Sequence, residues 1–85
     1  MAWQVRVAKS AEKAVAKVPA SDQRRILSAL EQMQKDPYSG DIRRLKPPHT
    51  GWRRRVGEYR LFFDVNQKEQ VVDVSHIKRR TDTTY

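Results

Sequence analysis

The sequence predicts an α+β fold: an N-terminal strand, a two-helix antiparallel hairpin, then an antiparallel meander sheet. Two observations carry this. Apolar residues recur at helical spacing as far as Lys35, and past the breaker Asp36-Pro37-Tyr38-Ser39-Gly40-Asp41 the period changes to two. The length of 85 residues adds a bound, since it supports one small core and a single domain over residues 1–85.

Each element follows from its residues. Trp3-Gln4-Val5-Arg6-Val7 alternates apolar and polar, as a half-buried strand does, with Trp3 in the core. Ser10 is placed to cap a helix from Ala11 to about Val18, with Ala14, Val15 and Val18 on one face. Pro19 interrupts it. Ser21 and Asp22 open a second helix to Lys35 whose apolar stripe is Ile26, Leu27, Leu30 and Met33. A short link makes the pair antiparallel. Ile42–Leu45 reads as a short strand, and Tyr38 before it as a loop anchor. Lys46-Pro47-Pro48-His49-Thr50-Gly51 reads as a loop, because two prolines remove two backbone donors. Trp52–Val56, a Gly57-Glu58 turn, Tyr59–Val65, a turn at Asn66–Glu69 and Val71–His76 complete the meander, and Ile77–Tyr85 is expected to be too polar to extend the core.

Charge is unevenly spread. The net charge is +8, of which residues 1–42 carry +2 and residues 43–85 carry +6. The excess falls in Arg43-Arg44-Leu45-Lys46, in Arg53-Arg54-Arg55 with Arg60, and in Lys78-Arg79-Arg80. Alternation puts Trp52, Arg54 and Val56 on one face and Arg53 and Arg55 on the other. If Leu61 and Phe63 pack on the helices, Arg60 joins Arg53 and Arg55 on the open side, while Val72, Val74 and His76 share a face. Guanidinium groups converging without burial are best tolerated where an anion fills the space between them, so a polyanion is the expected partner, nucleic acid above all. Arg44, Lys46, Arg54, Lys78 and Arg80 are candidate RNA contacts.

Other chemistry is excluded by composition. Cysteine is absent and the two histidines, His49 and His76, are not at metal-ligand spacing, so no metal or cofactor is expected. There is no glycine-rich phosphate loop and no nucleophile elbow. No apolar run reaches the roughly 20 residues that span a bilayer, and the N-terminus lacks a hydrophobic signal stretch. A soluble cytoplasmic protein is expected. Metal-free cleavage of a polyanion is open to RNA alone, whose 2′-OH can attack its own phosphate. That reaction needs a proton acceptor, cations around the phosphorane-like charge and a proton donor for the leaving 5′-oxygen. His76, ending a strand beside the basic tail, belongs to the side-chain type that titrates near neutrality. His49 reads as an ordinary loop residue and Trp52 as core rather than a base-stacking platform.

The Leu45-Lys46 segment, the run Trp52-Arg53-Arg54-Arg55-Val56-Gly57-Glu58-Tyr59-Arg60 and the ending Val74-Ser75-His76-Ile77-Lys78-Arg79-Arg80 with Tyr85 resemble the RelE/ParE superfamily of bacterial toxins. The resemblance covers essentially the whole chain. It implies a type II toxin–antitoxin toxin that acts as a ribosome-dependent mRNA endonuclease, cutting in the A site to leave a 2′,3′-cyclic phosphate and silenced by a cognate antitoxin. By motif position it implies Arg53 and Arg55 as the basic pair, Arg60 as the phosphate-stabilising arginine, Arg79 as the arginine facing the leaving group and Tyr85 as the tyrosine that orients or stacks substrate. His76 is similar to the histidine that serves as base in some branches. The chain departs from the RelE branch in having arginines where that branch has lysines. Arginine stays protonated, which leaves the base role to His76, to Tyr85 or to charge stabilisation alone. The alternatives are a ParE-like inhibitor of DNA gyrase without nuclease activity, because one fold hosts both, and a non-catalytic RNA- or ribosome-binding module.

Overall fold

A computed structural model describes residues 2–79. The order is β1 (Gln4–Val7), α1 (Lys9–Ala16), α2 (Ala20–Lys35), β2 (Asp41–Arg44), β3 (Trp52–Val56), β4 (Tyr59–Asn66) and β5 (Val71–Arg79). The strands form one sheet in the order β1-β5-β4-β3-β2, with β1 parallel to β5 and every other pair antiparallel. The helices lie on one face of this sheet, which leaves the other open: the two-layer α+β arrangement expected from the change of period.

The helix boundaries differ from expectation by a turn or less. Helix α1 starts at Lys9 with Ala8 as its N-cap, so Ser10 lies inside the first turn and caps nothing. Helix α2 starts one residue before Ser21, with Pro19 at its N-cap. The hairpin is fastened instead by Gln23, whose side-chain amide donates to the carbonyls of Ala16 (3.4 Å) and Val18 (3.1 Å) at the end of α1. Those carbonyls have no helical partner of their own. No helix among the described residues is long and apolar enough to cross a membrane.

Ile26 and Met33 of α2 are fully buried against Leu61, Phe63, Val72 and Val74 of the central strands. Ala29 fills the i+3 position of this stripe and is also buried, whereas Leu27, expected in the stripe, is 51% exposed. Four apolar residues around a helix cover more than the arc that one sheet can contact, and Leu27 falls at its margin. Arg54 also faces the helices. It is buried, its guanidinium donates to Gln32 Oε1 and Ser39 Oγ, and desolvation lowers its pKa from the ordinary arginine value. Around the end of α2, Tyr38 stands edge-on to Trp52 (5.5 Å between centroids) and to Trp3 (6.5 Å), which makes it the anchor of its loop.

The largest departure from the sequence reading is in β5. The strand does not stop at His76 but runs to Arg79, and Ile77 within it is buried. A register shift between Phe62 and Phe63 allows this. Phe63 pairs with Val74 while Phe62 pairs with His76, so Ser75 is the additional residue of a β-bulge. Two alternations, one on each side of the bulge, then run out of phase. Val72 and Val74 face the helices before it, Ile77 faces them after it, and His76 turns to the open side. The expected sharing of a face by Val72, Val74 and His76 is therefore corrected.

Tyr59, buried at the start of β4, ties the sheet to α2 through its hydroxyl, which donates to Asp22 Oδ2 at 3.1 Å. Desolvation, followed by the Asp22 carboxylate, raises its pKa above the ordinary tyrosine value. A raised folded-state pKa favours the folded protein while tyrosine is protonated, a contribution lost as pH climbs through and beyond about 10. The urea midpoint of the wild-type protein is thus expected to fall on passing from pH 9 to pH 11 more than that of Tyr59→Phe, measured by circular dichroism.

Candidate functional site

Register places the cationic side chains in two rows across the open face. One row reads Arg43, Arg53, Phe62 and His76 across β2, β3, β4 and β5. The next, two residues along each of β2, β3 and β4, reads Asp41, Arg55, Arg60 and Lys78. Side chains opposite one another in adjacent strands lie about 5 Å apart at Cβ. Five positive side chains thus share a small area with one carboxylate in the two rows. Arg53 and Arg60 are half-buried, and Arg55 is exposed.

A cleft of about 680 Å³ opens over the first row, lined among others by His49, Arg53, Phe62, Asp64, His76 and Lys78. One wall is the loop between β2 and β3. Its base is closed by the Leu45 N–H donating to the Gly51 carbonyl (3.0 Å), and its turn by the His49 N–H donating to the Lys46 carbonyl (3.0 Å). Gly51 has φ +93°, and a Cβ there would lie 2.6 Å from the Phe63 carbonyl oxygen and press still closer on the Asp64 carboxylate. Only glycine lets the loop approach β4 so closely. The other wall is β5. There His76 packs edge-on to Phe62 (6.5 Å between centroids, 83° between planes) and its Nδ1 lies 3.1 Å from Ser75 Oγ. Ser75 Oγ in turn donates to the Phe62 carbonyl at 3.3 Å. Beyond Asp64 the face turns acidic at Asp73, which pairs with Arg6 at 3.3 Å.

Among the residues expected at the site, Arg53, Arg55, Arg60, His76 and Lys78 come together on this face, and Lys46 is exposed in the cleft loop. Three do not. Arg54 is buried under the helices, as described. Arg44 pairs with Trp52 on the helix side and lies over its ring (5.5 Å to the centroid), a cation–π contact. Arg79 borders the cleft, but it pairs with Tyr59 on the helix side, and its guanidinium donates to Glu58 Oε2 at 3.0 Å, which with the charge of Glu58 raises its pKa. Lys78, not Arg79, occupies the open-face position next to Arg60. Arg80 and Tyr85 lie outside the described residues. Two further cleft residues escaped the sequence reading: His49, taken for a plain loop residue, and Phe62, the aromatic ring on the open face.

The fold is shared with solved toxins of known complexes. The RelE–RelB complex of Pyrococcus horikoshii contains a chain of 26% identity that matches with a TM-score of 0.84 over 98% of this chain and 100% of that one. The RelB–RelE complex of Methanococcus jannaschii gives 27% identity and a TM-score of 0.72, covering 88% and 89%. The RelBE2 complex of Mycobacterium tuberculosis, at 18% identity, has the same fold with a TM-score of 0.83, covering 94% and 100%. No curated protein sequence matches. Residues 2–83 match the family described as the ParE toxin of the type II toxin–antitoxin system parDE, and the chain belongs to that family within the RelE/ParE superfamily.

If the cationic rows of the open face take up a polyanion, Arg53→Gln weakens binding of a single-stranded RNA and lowers the slope of log affinity against log salt by about one. Arg44→Gln, on the opposite face, is expected to leave both unchanged, as read by fluorescence anisotropy across a salt series. Gly51→Ala is expected to lower stability by about 1–3 kcal/mol, the range for strained backbone, as read by urea unfolding.

Proposed function

We propose that this toxin is a metal-independent endoribonuclease that cuts mRNA in the ribosomal A site, and that it is held inactive by a cognate antitoxin. The observation that supports this reading is the placement of His76 by the β5 bulge. It brings the imidazole into the same row as Arg53, beside Lys78 and Arg60, on a face with a cleft. Cations alone would bind RNA. A positioned imidazole adds the proton transfer that cleavage requires.

The roles follow from the chemistry. His76 takes the proton of the 2′-OH, whose oxygen then attacks the adjacent phosphorus. Arg53, Arg60 and Lys78 stabilise the charge that builds on the phosphoryl oxygens. As the bond from phosphorus to the 5′-oxygen breaks, His49 on the facing wall protonates that oxygen. The products are a 2′,3′-cyclic phosphate and a 5′-hydroxyl, so atoms and protons balance without water. Arg55 extends the cationic track, Phe62 offers a ring against which a base can stack, and Tyr85 keeps the substrate-orienting role that the family resemblance implies. The antitoxin is proposed to lay an acidic segment over the same face, a complementarity that the surplus of arginine and lysine favours.

A second reading has its own support. The matching family is that of ParE, and the strand carries arginines with Arg79 tied to Glu58, an arrangement compatible with a gyrase inhibitor that cuts no RNA. One assay separates the two. Purified toxin is added to programmed ribosomes and the mRNA ends are mapped by primer extension. A new break in the A-site codon, reduced on the order of 10²–10⁴-fold in His76→Ala and lost in Arg60→Ala, supports the ribonuclease. Intact mRNA together with toxin-dependent DNA damage by gyrase rejects it in favour of the second reading.

A further inference from the structure

We infer that Ser75 is a positioning residue that fixes the tautomer of His76, holding the proton on Nδ1 and leaving the Nε2 lone pair for the cleft. The inference deepens the ribonuclease reading and, for its kinetic part, rests on it. A serine hydroxyl has one proton to donate and lone pairs with which to accept. Ser75 Oγ lies within hydrogen-bonding distance of the Phe62 carbonyl oxygen (3.3 Å) and of His76 Nδ1 (3.1 Å). A carbonyl oxygen can only accept, so the hydroxyl proton goes to Phe62. Toward His76 the hydroxyl is therefore an acceptor, and Nδ1 must carry a hydrogen. In a neutral imidazole that leaves Nε2 unprotonated.

The opposite assignment, with Ser75 donating to a bare Nδ1, would deprive the Phe62 carbonyl of this donor. That carbonyl sits at the bulge, where the β4–β5 ladder is interrupted, and the Ser75 bond to it is partly buried. The partly buried carbonyl has less access to water than the exposed ring nitrogen of His76, so the hydroxyl proton is better placed on the carbonyl. The bulge explains why the device sits here. The same additional residue that turns His76 toward the open face supplies, immediately before it in sequence, the hydroxyl that orients its ring. The edge-on packing of Phe62 restrains the remaining rotation. Ser75 touches no substrate in this scheme; it acts through His76, as the carboxylate of a catalytic triad acts through its histidine.

The test uses the whole chain, labelled with ¹⁵N, and multiple-bond ¹H–¹⁵N spectra recorded at alkaline pH. Wild-type protein and Ser75→Thr, which keeps the hydroxyl, are expected to show His76 protonated at Nδ1. Ser75→Ala is expected to lose that preference while its amide spectrum remains that of the folded protein. On programmed ribosomes, Ser75→Ala is expected to cut about 10–100-fold more slowly at saturating ribosome, with Ser75→Thr largely restored. An Nε2-protonated His76 in the wild type overturns the inference, as does a Ser75→Ala variant that cuts at the wild-type rate. Wild-type protein that leaves mRNA intact overturns the ribonuclease reading instead, and the spectra still decide the tautomer by themselves.

Discussion

The arrangement of the site depends on one additional residue in one strand. With Ser75 inserted opposite the junction of Phe62 and Phe63, the alternation of β5 changes phase, and the core and the open face both benefit. Ile77 closes the apolar layer beside Leu61, and His76 arrives beside Phe62. A regular ladder continued from the Phe63–Val74 pair would do the reverse, pressing an imidazole into the core and setting an isoleucine among arginines. Burying a polar ring without a partner and exposing a large aliphatic side chain are both unfavourable. The bulge is thus favoured by packing at the same time as it builds the site.

The sheet also sorts its cations between its two faces. On the helix side Arg54 meets Gln32 and Ser39, Arg44 the ring of Trp52 and Arg79 Glu58. These matched groups orient loops and turns. On the open side, Arg43, Arg53, Arg55, Arg60 and Lys78 outnumber the carboxylate of Asp41 in their rows. A like-charged cluster on a flat, solvated face lowers stability slightly and becomes favourable when a polyanion binds. On the proposed reading that anion is RNA, and an acidic antitoxin segment would compete with it for the same rows.

Much of this was legible in the sequence, for identifiable reasons. The face of Arg53, Arg55 and Arg60 could be read because β3 and β4 alternate without interruption around the Gly57-Glu58 turn. The fate of Arg54 was implicit in its parity with Trp52 and Val56, yet charge alone had placed it among the RNA contacts. The bulge was harder to see, because an additional residue leaves no mark in composition. Its trace was the spacing from Val74 to Ile77, three residues where alternation requires two, and treating Ile77 as the start of a polar tail hid it. His49 could not have been found by periodicity. Its place in the cleft depends on where the loop is pinned, through Leu45, Gly51 and the close approach to Asp64.

Under the proposed function, RNA binds the open sheet face beside the bulge-directed His76. This binding mode is tested most directly by titrating the labelled protein with a short RNA made uncleavable by a 2′-deoxy substitution at one position and following backbone amide shifts. The expected result is a continuous set of perturbations at Arg53, Phe62, Ser75, His76 and Lys78 and in the loop around His49. Perturbations confined to the helix side, around Arg44, Trp52 and Tyr38, would contradict it.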